Sequence, residues 1–144
     1  MNQRVVSGLS RALFDSDLIA TRMSLFLAEL LWAIMLFWPG DTFGRPTYFL
    51  MEKLAIEEVW AAVFLISACI QLHIVIFSIC KTAFSIWFAR WNALLWLSTV
   101  GLMLGSVYPP PAAIGGELAM MVSAVWIALR PQILKKGEEY VNTL

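Results

Sequence analysis

Apolar residues in this chain come in long runs, separated by short clusters of polar residues, proline and glycine. Four runs stand out, at residues 23–38, 59–80, 84–108 and 112–129. The second and third are longer than the ~18 apolar residues that mark a membrane-crossing helix. The first is short for a hydrocarbon core of ~30 Å and is expected to borrow residues 18–22 below it. Pro39-Gly40 closes the first run, Pro109 to Pro111 separate the third from the fourth, and Arg130-Pro131 is expected to stop the fourth. A tight connection holding Lys81 and Thr82 joins the second run to the third. The remaining loop, 39–58, carries Asp41, Glu52, Glu57 and Glu58, and residues 46–54 within it predict an interfacial helical turn around Tyr48, Phe49 and Met51.

The first 21 residues follow a different pattern. At ~100° per residue, Val5, Val6, Leu9 and Leu13 share one face, while Arg4, Arg11 and Asp15 share the other. That is the pattern of a helix lying in the headgroup plane with its apolar side down. Asp15, Ser16 and Asp17 offer an N-cap for the helix that follows. The start has no uninterrupted apolar stretch before a small-residue cleavage site, so no signal peptide is expected.

Composition agrees with a lipid-facing surface. Of the residues, 60% are hydrophobic and 14% charged, with mean hydropathy +0.77. A soluble domain carries about 25% charged residues. The predicted fold is all-α: one polytopic membrane domain over 1–144, with an amphipathic interfacial segment at 1–21, four transmembrane helices, an outer loop at 39–58 and a tail at 130–144. Net charge is zero, which gives no general pull toward nucleic acid, so placement matters more than total. Arg4, Arg11, Arg22, Lys81, Arg90, Arg130, Lys135 and Lys136 fall on one side of the four-span reading, and only Arg45 and Lys53 on the other. Basic residues in short loops stay in the cytoplasm, which predicts both termini there.

Ionisable groups inside the spans are costly unless paired or hydrated. Glu29 lies seven residues from Arg22, ~10 Å along a helix; His73 lies eight from Lys81, ~12 Å; Arg90 lies six from Phe84, ~9 Å. These similar depths predict an intramembrane polar cluster of Glu29, His73, Arg90 and Asn92, with Glu29 paired to Arg90. Ser67, Gln71 and Ser78 form a polar stripe on the second span, suited to hydrogen bonding with a neighbouring helix or subunit. Glu117, just after Gly115-Gly116, is expected as a first-turn carboxylate.

Small residues predict close helix packing at Gly101 and Gly105 in the third span and at Gly115, Ala119 and Ser123 in the fourth, joined as a tight hairpin. Cys69 and Cys80 have no Cys-x-x-Cys partner and are expected as small buried hydrophobes. Cys69 and His73 share a helix face, but no third or fourth ligand accompanies them, so no metal site is expected. No phosphate loop, zinc-protease motif or nucleophile elbow is present, and the chain has one histidine. The expectation is a protein without catalytic residues, cofactor, nucleic-acid partner or small-molecule substrate.

The run LAELLWAIMLFWPGDTF at Leu27 to Phe43, the EEVW at Glu57 to Trp60 and the VYPPPAAIGGE at Val107 to Glu117 resemble small multi-span membrane proteins of tailed bacteriophages. The resemblance implies a phage or prophage product in the bacterial inner membrane, a group that includes holins and superinfection-exclusion factors. It carries no catalytic residue. Three functions follow in order. The first is a non-enzymatic membrane protein that assembles with itself or another membrane protein, with the outer loop facing the partner. The second is a holin-like pore-forming oligomer, and the third a small proton-linked transporter using Glu29, His73 and Arg90.

Overall fold

A computed structural model describes the backbone of residues 3–38, 40, 42–77, 82–107 and 114–141, and the side chains of these from 17 to 133. All described regular structure is helical: α1 (Gln3–Phe37), a 3-10 turn (Pro46–Tyr48), α2 (Phe49–Leu54), α3 (Glu57–Ile76), α4 (Ala83–Ser106) and α5 (Ile114–Val141). The stretches Asp17–Phe37, Glu57–Ile76 and Ile114–Ile133 are long and apolar enough to cross a membrane. The 24 residues of α4 give it ample length, ~36 Å at 1.5 Å per residue. Its apolarity is diluted by Arg90, Asn92 and a scatter of Ser, Thr and Trp.

Each long helix buries one seam in steps of three or four residues. On α1 the seam includes Arg22, Leu25, Glu29, Trp32 and Leu36; on α3, Ala61, Phe64, Ser67, Gln71 and Ile74; on α4, Ser85, Phe88, Asn92, Leu95, Thr99 and Met103. That spacing is the signature of helices packed nearly side by side. Backbones approach most closely between α1 and α3 and between α4 and α5. The bundle is therefore two helical hairpins laid against each other.

Three sequence-based boundaries move. The interfacial segment and the first span form one unbroken helix, so Asp15, Ser16 and Asp17 do not cap a second one. A seam already in register through Leu18, Arg22 and Leu25 outweighs the weak local preference of Asp and Ser for a cap. Pro131 lies inside α5 instead of ending it, and the helix carries most of the expected tail. Proline's fixed φ suits a helix; what it removes is the N–H that would bond the Ile127 carbonyl. The second span ends at Ile76, capped by Phe77 N–H bonding the His73 and Val75 carbonyls. Cys80 and Lys81 lie outside the described residues, as does Ser78.

The expected small-residue stripes do not carry the hairpin. Gly115 and Ala119 are exposed, and the α5 seam lies one residue round the helix, through Ile114, Leu118, Met121, Ala124 and Ala128. Ser123 is half-buried and its hydroxyl bonds the Ala119 carbonyl of its own helix at 2.9 Å. Gly101 faces open space, while a Cβ at Gly105 would come within 2.9 Å of Leu50 Cδ1. Gly105 thus makes room for α2 and not for α5. Cys69 is exposed, contrary to the expectation of burial.

Candidate functional site

The polar seam begins where the two hairpins meet. Arg22 of α1 is 1% exposed. Its Nη1 donates to Gln71 Oε1 of α3 at 2.9 Å, and its Nη2 donates to Ser85 Oγ of α4 at 2.7 Å and to the Ser85 carbonyl at 3.3 Å. Ser85 is held at the start of α4 by Thr82, whose hydroxyl accepts from the Ser85 N–H at 3.2 Å. This N-cap fixes the carbonyl and hydroxyl that receive the guanidinium.

A second layer lies two helical turns along α1. Glu29, wholly buried, accepts a hydrogen bond at Oε1 from Asn92 Nδ2, which also donates to Ser67 Oγ at 3.2 Å. The two layers use α1 residues seven apart, α4 residues seven apart and α3 residues four apart in reverse order. Hence α1 and α4 run in the same direction and α3 runs against them. A guanidinium and a carboxyl group are buried, and amide and hydroxyl dipoles from the other two helices surround each. Burial of an ionic group is tolerable only with such partners. Glu29 Oε2, Gln71 Nε2 and Asn92 Oδ1 are buried and make no hydrogen bond to other protein groups.

Aromatic rings follow along the axis. Trp32, Phe64 and Trp96, one from each of α1, α3 and α4, meet with centroids 5.2 to 6.4 Å apart. Tyr48 stands edge-on to Trp32 at 6.0 Å and stacks on Phe43 at 5.8 Å. Met51 is fully buried beneath this turn, and Trp60 Nε1 donates to its carbonyl at 3.1 Å. The Leu50 N–H donates to Ser106 Oγ at 3.1 Å, which ties α2 to the end of α4. The helical turn expected at 46–54 therefore closes one end of the bundle, with Phe43 and Met51 turned into the core, and only part of it is left to face a partner. Tyr48 keeps its proton more tightly than an ordinary phenol, chiefly through burial and secondarily through the Glu117 carboxylate, with Arg45 opposing.

The structure brings together Glu29, Asn92, Ser67 and Gln71. It does not bring in His73 or Arg90. His73 is exposed and its ring lies tilted against Phe77 with centroids 4.5 Å apart. Arg90 is exposed on the outward side of α4, so the expected Glu29–Arg90 pair does not form; Asn92 takes that place. Arg22, assigned from sequence to the cytoplasmic edge, is instead the centre of the first layer, and Arg130 is also buried. Ser85 and Thr99 were not singled out from sequence. Their seven-residue spacing about Asn92 is the signal that marks them.

No family model, no curated protein and no solved structure matches this chain.

Proposed function

We propose that this chain is a non-enzymatic integral membrane protein that crosses the bilayer four times, through α1, α3, α4 and α5, and acts by associating within it. Its partner is a second copy of itself or another membrane protein. Both termini sit in the cytoplasm of a bacterial cell, and the protein belongs with the small inner-membrane products of tailed phages. The observation that carries this reading is the outward face of α4. Trp87, Arg90, Trp91, Leu94, Ser98 and Gly101 are all exposed along it. A lipid-facing arginine away from the headgroups costs ~2.5–3.5 kcal/mol at mid-membrane, and small residues favour helix contact over lipid. This face is thus the one best served by another protein. The polar seam supports the reading in a second way. Its groups hydrogen-bond one another across three helices, which fixes how the hairpins pair and so which face of α4 stays outside.

The aromatic layer over the seam argues against a path for solutes along the bundle axis, so a holin-like pore would have to lie between copies. Oxidative cross-linking in native membranes tests the association. In a Cys69→Ser, Cys80→Ser background, Ser98→Cys is expected to give a disulfide-linked adduct several times more readily than Ile66→Cys on the exposed side of α3. Equal yields from the two positions would remove α4 as the contact. Following membrane potential on induction separates the two forms of association: an unchanged potential fits an assembly role, and rapid depolarisation fits the pore.

A further inference from the structure

Two grooves lie side by side on the lateral surface at the Tyr48 end of α1. One, about 310 Å³, runs between α1 and α5 and is walled by Leu31, Trp32, Met35, Trp96 and Met120, with Glu117 at its α5 edge. The other, about 340 Å³, is walled by Ile34, Met35 and Trp38, with Thr42 and Arg45 at its edge. Met35 is common to both. Each is of ligand-pocket size. Each is lined mainly by apolar side chains on a helix long and apolar enough to face acyl chains.

The edges of the two grooves carry opposite charges. Arg45 is exposed, and Glu117 is partly buried and lines its groove. Both act electrostatically on the phenol of Tyr48, which places them at the same end of the bundle. Two apolar troughs with a shared wall suit two hydrocarbon tails. A guanidinium and a carboxylate at one end of those troughs suit a headgroup that carries both signs. A carboxylate offers more than charge, because its oxygens also accept hydrogen bonds. A primary ammonium offers three N–H groups, whereas a quaternary ammonium offers none.

We propose that these paired grooves hold one zwitterionic aminophospholipid, its phosphate on Arg45, its ammonium on Glu117 and a chain in each trough. Guanidinium–phosphate contact is charge-assisted and suits two parallel hydrogen bonds. Replacing the ammonium with a trimethylated one leaves the Glu117 carboxylate without an N–H donor. Replacing it with an uncharged polyol removes the ion pair and keeps only a weak donor. The site should therefore rank ethanolamine headgroups above both choline and glycerol headgroups.

This inference depends on the chain lying in a bilayer and not on the α4 contact, so failed cross-linking leaves it intact. The test is native mass spectrometry of the intact protein released from mixed vesicles of phosphatidylethanolamine, phosphatidylcholine and phosphatidylglycerol with matched chains. Wild-type protein is expected to retain one phosphatidylethanolamine about tenfold over the other two, the ratio that follows from one charge-assisted hydrogen bond of about 1.5 kcal/mol. Glu117→Gln should abolish the preference over phosphatidylcholine, and Arg45→Gln should lower retention of all three phospholipids. Equal retention by the wild type, or a preference for phosphatidylglycerol, overturns the proposal. A stepwise N-methylated headgroup series on the unaltered protein needs no variant: retention should fall most at the last methyl, and a flat series rejects the role of Glu117.

Discussion

The two halves of the bundle solve the same packing problem by opposite means. Toward the Arg22 end, α1, α3 and α4 meet through a guanidinium, a carboxylate, two amides and two hydroxyls. Toward the Tyr48 end, the same helices meet through Trp32, Phe64 and Trp96. The aromatic half gains contact area, and its rings tolerate small rotations of one helix about another. The polar half contributes less net free energy, because inter-helix hydrogen bonds in membranes average only about 0.6 kcal/mol. What it contributes is discrimination. Sliding α4 by one turn would take Ser85 from the buried Arg22 and Asn92 from the buried Glu29, a penalty of several kcal/mol. Area holds this bundle together, and polarity selects one register.

That division can be broken from either end, and the larger loss is expected in the aromatic half. Trp96→Ala removes the ring that touches both Trp32 and Phe64 and should destabilise the protein by ~3–5 kcal/mol. Reversible unfolding in mixed lipid–detergent micelles measures it, and a loss below ~1 kcal/mol would show that the rings are not the principal source of cohesion. Asn92→Leu should cost less, ~1–2 kcal/mol, because it leaves Glu29 Oε1 and Ser67 without their donor. Its distinguishing property is coupling. Glu29→Leu combined with Asn92→Leu removes acceptor and donor together, so the double variant should lose less than the sum of the single losses. Additive losses would mean that the two side chains act independently.

Much of this was legible in the sequence, and the failures share one cause. The four helical runs stood out because apolar length needs no knowledge of neighbours. The depths of Glu29 and Asn92 were also readable, since rise per residue is fixed. Depth gives height along a helix but not direction around it. Arg90 and Asn92 are two residues apart, about 200° round the helix, so both cannot face Glu29. The same offset separates His73 from Gln71, and in each pair the amide faces in while the ionisable side chain faces out. Arg22 was misplaced for another reason. A charge at the end of an apolar run looks like a headgroup anchor, whereas its seven-residue spacing from Glu29 puts it on the buried seam. Ser85, Asn92 and Thr99 repeat at the same interval on α4, and that shared period was the readable sign of the seam. The burial of Met51 and Phe43 was beyond local reading, because it depends on Gly105 making room for Leu50 from a helix 55 positions away in sequence.

The smallest predicted effect concerns the cap that closes the aromatic half. The phenol of Tyr48 is raised above the ordinary 10.0, because burial opposes the phenolate, the Glu117 carboxylate repels it, and Arg45 only partly offsets the two. An unfolded chain loses that proton first. The stability Tyr48 contributes through its neutral form is therefore complete below pH 10, declines as the pH rises through 10 toward the raised value, and levels off above it. Other groups also titrate in this range, so the informative quantity is a difference. The thermal midpoint of the wild type minus that of Tyr48→Phe should fall above pH 10 while remaining constant between pH 7 and 9. In a Glu117→Gln background the fall should be smaller, since one cause of the elevation is gone, but it should persist because burial is the larger cause. A difference that rises with pH would mean that the phenolate is the favoured form at this position, and that Arg45, rather than the apolar surroundings of the ring, governs the cap.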